Sequence, residues 1–347
     1  MTQVKAYAAF SATDKLKPHS IKRRTPADYD VKIDISYCGI CHSDIHTARN
    51  EWEGTNYPIV PGHEIVGIVA ETGPKVTKFK VGDLVGVGCM VDSCKTCSSC
   101  EEHLEQYCEN GFTATYNSED KKSGGFTHGG YSESIVVDEN FVLQIPKNLD
   151  TKAMAPVLCA GVTMWSPLRH WKVKEGDTVG IIGLGGLGHM GVKLAHAMGA
   201  RVVMITTSPK KAEDARKLGA HEVLISTDES QMANYQEKFD LLINTIPRHH
   251  DLNPYLNLLK RDATMVIVGA VELLDKFHGG QLIMKRRRIA GSLIGGIKET
   301  QELLDFCGKH NITSEVEMID IKHINEAYDR TVKNDVKYRF VIDMKSL

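Results

Sequence analysis

The chain has 347 residues, 42 % hydrophobic and 25 % charged, with 42 basic and 44 acidic side chains for a formal net charge of −2. That length predicts two domains, and the composition is globular and excludes a disordered chain. The balanced charge calls for neither nucleic acid nor an anionic membrane, no apolar run reaches about 18 residues, and the opening MTQVKAYAAFSATDK has no signal core, so a cytoplasmic protein is expected. In that reducing setting the nine cysteines read as metal ligands or catalytic groups, not disulfides.

Residues 31–37, VKIDISY, alternate apolar and polar side chains as a half-buried strand does. Directly after them, Gly39-Ile40-Cys41-His42-Ser43-Asp44-Ile45-His46 crowds ligating and proton-carrying groups together, and Pro61-Gly62-His63-Glu64 adds more. Further apolar runs at 65–69, 84–87 and 134–137, broken by Gly, Pro and Asp, make this part of the chain β-rich. Among them lies Cys94-x2-Cys97-x2-Cys100-x7-Cys108. Such spacing turns four thiolates toward one point and predicts a closed zinc site that shapes a loop and does no chemistry.

Leu158-Cys159-Ala160-Gly161 follows. Cys41, His63 and Cys159 together offer two thiolates and one imidazole with one position left open, as a catalytic zinc requires. After Pro167 the rhythm changes to alternating elements. Strands are expected at 178–182, 201–206, 239–244 and 264–269, and helices at 187–198, 209–218 and 255–259, which predicts a parallel sheet wrapped on both faces.

Gly183-Leu184-Gly185-Gly186-Leu187-Gly188 follows the first of these strands and opens a helix, the context in which a G-x-G-x-x-G turn cradles a dinucleotide pyrophosphate. A carboxylate about 20 residues later ordinarily holds the ribose of NAD. Here Thr206-Thr207-Ser208-Pro209-Lys210-Lys211 stands instead. Hydroxyls and an ammonium accept a 2′-phosphate, so NADP(H) is preferred. Helices at 298–310 and 323–332 and a strand at 338–343 depart from the rhythm and are expected to return to the first domain. The expected boundaries are 1–157, 158–296 and 297–347.

GICHSDIH, YPIVPGHEIVG, CKTCSSCEEHLEQYC, LCAGVT, GLGGLGHMGVKLAHAMGA and KYRFVID resemble, in order and spacing, the zinc-dependent medium-chain alcohol dehydrogenases. Within these the resemblance is to the cinnamyl alcohol dehydrogenase branch and its bacterial NADPH-dependent aldehyde reductases. The two-cysteine, one-histidine set is the known zinc set of alcohol dehydrogenases, so it is matched here and not deduced. The resemblance implies an α/β architecture: a GroES-like β-rich catalytic domain, an inserted Rossmann domain, a cleft between them, and homodimers formed through the Rossmann sheets.

It further implies two zinc ions per subunit, catalytic-zinc ligands Cys41, His63 and Cys159, and Glu64 as an exchangeable fourth ligand. Asp44 would orient His63, Ser43 and His46 would relay a proton through the nicotinamide ribose, and Thr206, Thr207, Ser208 and Lys211 would hold the 2′-phosphate. The implied reaction interconverts primary alcohols and aldehydes, with aldehyde reduction favoured. Two alternatives stay open: an NAD-dependent polyol or sugar dehydrogenase on the same scaffold, and a non-catalytic zinc-stabilised NADP(H)-binding protein.

Trp52, Cys89, Met90, Tyr116 and Ile294 are candidates for the substrate pocket. Cys38 and Cys307 read as packed apolar groups, His249 and His250 as loop residues, and Lys285-Arg286-Arg287-Arg288 as a solvated turn. Medium-chain aliphatic, benzylic and cinnamyl aldehydes all suit this reading.

Overall fold

A computed structural model describes residues 1–269 and 273–347. The chain forms two compact units, Met1–Cys159 with Gly296–Leu347, and Ala160–Gly295. The C-terminal segment thus completes the first unit, and Cys159 closes the first unit's leading segment.

The first unit is built on a seven-stranded sheet ordered Val316–Asp320, Arg339–Asp343, Asp30–Gly39, Ile65–Thr72, Leu84–Val87 and Leu143–Gln144, with Ser134–Asp138 also paired to Asp30–Gly39. Val31, Ile33 and Ile35 are buried while Asp34 between them is exposed, as period-2 patterning demands. Register shifts against Ile65–Thr72 occur at Lys32/Ile33 and Ile35/Tyr37. Such bulges bend a strand and re-aim its end. That end delivers the chain to Cys41 and the helix His42–Ala48.

The second unit is an all-parallel six-stranded sheet. Its strands are Thr178–Ile182, Arg201–Thr206, Glu222–Ile225, Phe239–Asn244, Leu259–Ile267 and Arg288–Gly291. Their spatial order is third, second, first, fourth, fifth, sixth, the doubly wound order whose switch point lies beside the first strand. Phe239, Leu242, Leu256, Leu259 and Met265 lie in its core, the fully buried setting that makes parallel strands read as continuous apolar runs.

Three local expectations are corrected. The helix expected at 255–259 is Asn253–Leu256, and Leu259 already opens the next strand. The helix expected at 209–218 is a 3-10 turn, Pro209–Lys211, followed by Ala212–Lys217. The basic run is no solvated turn throughout: Arg287 is 8 % exposed and its Nε donates to the Leu259 carbonyl at 2.9 Å, while Arg288 begins a strand. Cys38 and Cys307 are both fully buried, and no helix among the described residues is long and apolar enough to cross a membrane.

Candidate metal centres and cofactor loop

Helix His42–Ala48 is short, and its capping sets the site. Asp44 occupies its first turn, and one carboxylate oxygen, Oδ2, accepts the Cys41 N–H at 2.8 Å and the Tyr131 hydroxyl at 3.2 Å. The other, Oδ1, accepts the Gly62 N–H at 3.0 Å and His63 Nδ1–H at 2.9 Å. A single buried carboxylate therefore ties the segment bearing Cys41 to the segment bearing His63. It also directs the other imidazole nitrogen, Nε2, toward Cys159 Sγ, 3.2 Å away. Tyr131 in turn lies 3.5 Å, hydroxyl to hydroxyl, from the buried Tyr328.

Cys41, His63, Glu64 and Cys159 are all buried, and one ligand atom from each lies within 4.8 Å of every other. Burial pushes Glu64 up to about 8, against the pull of Arg339. Burial alone would lower the His63 pKa, but the facing Asp44 more than offsets it and the imidazole titrates well above its ordinary range. The hydrogen bond from Cys159 draws the Cys41 thiol well below its usual value. The same contact pushes Cys159 up.

Glu64 Oε1 is bonded by the buried Arg339 guanidinium, whereas Glu64 Oε2 is buried without a hydrogen-bond partner. Soft thiolates, an oriented imidazole and an uncommitted carboxylate oxygen at one point are the donor chemistry of zinc with an exchangeable position. Arg339 was not foreseen from sequence. Its only signal was a cation in the final KYRFVID segment, 275 positions from Glu64.

The second cluster joins Cys94, Cys97, Cys100 and Cys108. Its Cys94–Cys100 and Cys97–Cys108 Sγ separations are 3.9 and 4.0 Å. A tetrahedron with ~2.3 Å metal–sulfur bonds has edges of ~3.8 Å, so the geometry fits one zinc. The N–H groups of Cys97 and Glu109 point at the sulfurs of Cys94 and Cys97, at 3.3 and 3.4 Å. Lys95 inside this loop bonds Asp138 at 2.7 Å and so ties the lobe to the sheet.

Ser43 and His46 lie three residues apart on the helix and share one face. Ser43 Oγ is 3.7 Å from Cys41 Sγ. His46 Nδ1 is held by the Glu51 carboxylate, and its ring stacks on Trp52 with centroids 4.9 Å apart. Glu51 was also missed in the sequence, where it stands five positions after His46 and nothing marks the pair.

Of the pocket candidates, Cys89 hydrogen-bonds Cys159, which holds the Cys89 thiol below its ordinary value. The Tyr116 ring lies 5.7 Å from that of His63, and Met90 is buried. Trp52 is half exposed beside His46. Ile294 belongs to the second unit and carries a left-handed φ of 36°.

In the second unit Gly183 directly follows the first strand with φ 97°, and a side chain there would lie 2.7 Å from Thr245 Oγ1. A side chain at Gly188 would strike the Gly183 carbonyl at 1.9 Å, whereas one at Gly185 would meet nothing within 4 Å. Two glycines are thus needed for the turn itself, and the third, with Gly186 and Leu187 beside it, leaves the backbone open to a ligand. Thr206 Oγ1 accepts the Ser208 N–H at 3.2 Å. Thr207 is exposed. Lys211 Nζ donates to the Leu184 carbonyl at 2.8 Å, which brings the basic turn against the glycine loop.

His249 pairs with Asp275 at 2.8 Å, and His250 Nε2 lies 2.8 Å from Asn244 Nδ2. Neither belongs to a metal-competent group among the described residues.

Family models match residues 27–147 as an alcohol dehydrogenase GroES-like domain and residues 186–309 as a zinc-binding dehydrogenase. The chain is 55 % identical over 347 residues to aldehyde reductase YahK of Escherichia coli, covering 99 % of each. It is 52 % identical to NADP-dependent alcohol dehydrogenase C of Mycobacterium bovis, covering 100 % of each. Among solved structures, a cinnamyl alcohol dehydrogenase from Sorghum bicolor superposes with a TM-score of 0.96 at 42 % identity, over 99 % of this chain and 98 % of that one. The Helicobacter pylori enzyme complexed with NADP(H) gives 0.93 at 45 %, over 99 % of each chain. The chain belongs to the zinc-binding alcohol dehydrogenases with a GroES-like domain.

Proposed function

We propose that the protein is a zinc-dependent, NADP(H)-linked alcohol dehydrogenase that acts chiefly as an aldehyde reductase, with two zinc ions per subunit. The observation that carries this reading is the pair of unequal donor sets. One is four thiols, closed and suited to shaping a loop; the other is buried, mixed, and ends in a carboxylate oxygen with no partner. When bound, the second zinc supplies Lewis-acid polarisation of a carbonyl and the nicotinamide supplies hydride.

The chain's own groups do the rest. Cys41, His63 and Cys159 would hold the metal, and Asp44 keeps the imidazole in the tautomer that leaves Nε2 free to ligate. Glu64 would offer its unpartnered Oε2 to the exchangeable position, with Oε1 held by Arg339. Ser43 Oγ delivers the proton that the product oxygen requires. His46, one helical turn on and braced by Glu51, replenishes it. Thr206, Thr207, Ser208 and Lys211 take the 2′-phosphate, with no carboxylate in that turn to repel it.

Within the first unit, Met90, Tyr116, Cys89 and Trp52 offer apolar and aromatic side chains suited to lining a pocket for benzylic, cinnamyl or medium-chain aliphatic aldehydes. The high cellular ratio of NADPH to NADP+ favours reduction. A cytoplasmic location suits thiol ligands that must stay reduced.

We also propose a homodimer. Ile283 and Met284 are 80 % and 79 % exposed close to the edge strand Arg288–Gly291, an apolar surface beside a strand edge with no further strand paired to it among the described residues. Sedimentation velocity tests this, and a monomer at micromolar concentration refutes it.

The functional test is NADPH oxidation against a panel of aldehydes, set beside NADH and the metal content. Two zincs per subunit, aldehyde-dependent turnover and preference for NADPH are expected. Metal-loaded protein that turns over no aldehyde with either nucleotide refutes the reading.

A further inference from the structure

Arg23 ends the strand Lys17–Arg23 and is 9 % exposed. Its Nε donates to the Ser134 carbonyl at 2.8 Å, Nη1 to the His128 carbonyl at 2.8 Å, and Nη2 to the Gly129 carbonyl at 2.9 Å and Ser132 Oγ at 2.8 Å. All four acceptors are neutral. A guanidinium has five N–H donors, so one on Nη1 is uncommitted.

Most of the neighbouring carboxylates are taken by other cations. Asp30 is held by Arg24 at 2.9 Å and by Lys122 at 3.0 Å. Asp138 is held by Lys95 at 2.7 Å and Lys122 at 3.3 Å. Asp92 pairs with Lys95 at 3.3 Å. Asp120 spends Oδ1 on the N–H groups of Lys122 and Ser123 at 2.9 and 3.0 Å, and its charge favours the Arg23 cation through space without forming an ion pair with it. Among the described residues no carboxylate forms an ion pair with Arg23, although a buried charge is ordinarily paired.

A cavity of about 390 Å³ opens beside this guanidinium, within the roughly 300–1,000 Å³ range of small-molecule sites. Lys22, Lys121, His19 and His128 line it with Arg23, and the acids on its wall are Asp92 and Asp120. Lys22 and Lys121 form no ion pair among the described residues. His128 Nδ1 is buried with no hydrogen-bond partner. Burial, Arg23 and His19 lower the His128 pKa to about 4, so the ring is neutral at pH 7 and has an N–H to give.

We propose that this cavity is a binding site for a small multivalent oxyanion, of which phosphate is the simplest member. The anion supplies the directly paired counter-charge that Arg23 lacks, accepts from His128 Nδ1 and is drawn in by Lys22 and Lys121. The cavity is roomier than bare phosphate needs, so a small phosphorylated or polycarboxylated metabolite fits the same description. The site lies close to the catalytic cluster: Thr113 and Thr115 form one wall, and Tyr116, the next residue along, turns its ring toward His63.

The test uses zinc-loaded protein saturated with NADP+, so that nucleotide-phosphate groups of the second unit are already filled. Inorganic phosphate is titrated calorimetrically and, in parallel, against the ¹H–¹⁵N signals of the imidazoles. The expected result is one saturable site per subunit and a His128 shift with the same midpoint. Lys22→Ala with Lys121→Ala should weaken binding roughly tenfold. Arg23 also braces residues 128–134, so the exposed lysine pair is the deciding variant. Citrate in place of phosphate distinguishes a carboxylate from a phosphate preference, and saturable binding of either one supports the site. No saturable uptake of either anion at physiological concentrations, an unmoved His128, or an unchanged midpoint in the lysine variant overturns the proposal. None of these readouts depends on aldehyde turnover.

Discussion

Replacing Asp44 by Asn removes one charge and no volume, and it isolates what the carboxylate does for the metal. Asp44 is fully buried and accepts four hydrogen bonds, from Cys41, Tyr131, Gly62 and His63. An amide keeps one accepting oxygen and turns a donor toward two of those four partners. Each charge-assisted bond is worth about 1.5–3 kcal/mol, so the local loss is of order 3–6 kcal/mol before relaxation. Part of it falls on folding, and the part carried by His63 falls on the metal. Comparable partners of zinc-binding imidazoles typically change metal affinity about 10–100-fold.

The expected outcome is that the mixed site of Asp44→Asn loses zinc about 10–100-fold faster to a chelator, with the four-cysteine site unchanged. Release followed with a chromogenic chelator should resolve into two equal phases, of which only one accelerates. Tyr131→Phe, which removes one of the four bonds, should give a smaller change in the same phase. If both phases keep their native rates, Asp44 does not secure the metal through His63. If both accelerate together, the variant has merely loosened the first unit.

Other perturbations follow from the same contacts. Arg339→Met strands the buried Glu64 carboxylate and should cost about 3–5 kcal/mol in urea unfolding of metal-free protein above pH 8. The cost should shrink at lower pH, where Glu64, already raised to about 8 by burial, takes up a proton; an equal cost at every pH counts against the ion pair. His128 is depressed from 6.5 to about 4 in the folded protein, so it contributes stability that is full above pH 6.5 and lost as the pH falls toward 4. That contribution is at most roughly 3 kcal/mol. In phosphate-free buffer His128→Gln should flatten the wild-type decline across this window, and parallel curves would dismiss the role. Thr207→Asp places a carboxylate where the 2′-phosphate is expected, and it should lower the NADPH-to-NADH ratio of kcat/KM at least roughly tenfold. An unmoved ratio would take Thr207 out of the cofactor site.

Much of the architecture was legible because it rests on local regularities. The doubly wound sheet announces itself through short apolar runs alternating with helices, and the glycine turn through a spacing that only one backbone path tolerates, as the near contacts at Gly183 and Gly188 attest. The four-cysteine lobe falls within fifteen residues, so spacing alone implied convergence, and its sulfurs lie at tetrahedral separations. At 255–259 a short apolar stretch suits helix and strand equally. Arg287 was unreadable as buried because the carbonyl that satisfies it belongs to Leu259, on a neighbouring strand.

The sequence by itself determined which chemistry the chain carries: spacing names the four-cysteine set and the nucleotide loop, and the resemblance to known dehydrogenases names the mixed set of Cys41, His63 and Cys159. Only the tertiary structure decided how those groups are held and charged. Arg339 meets Glu64 across 275 positions, Tyr131 meets Asp44 across 87, and Arg23 reaches the segment around Gly129 across 106. Electrostatic effects act through space and burial and leave no periodic trace along the chain. For that reason the uncommitted oxygen of Glu64 and the cation at Arg23 without an ion-pair partner emerge only when the fold is complete.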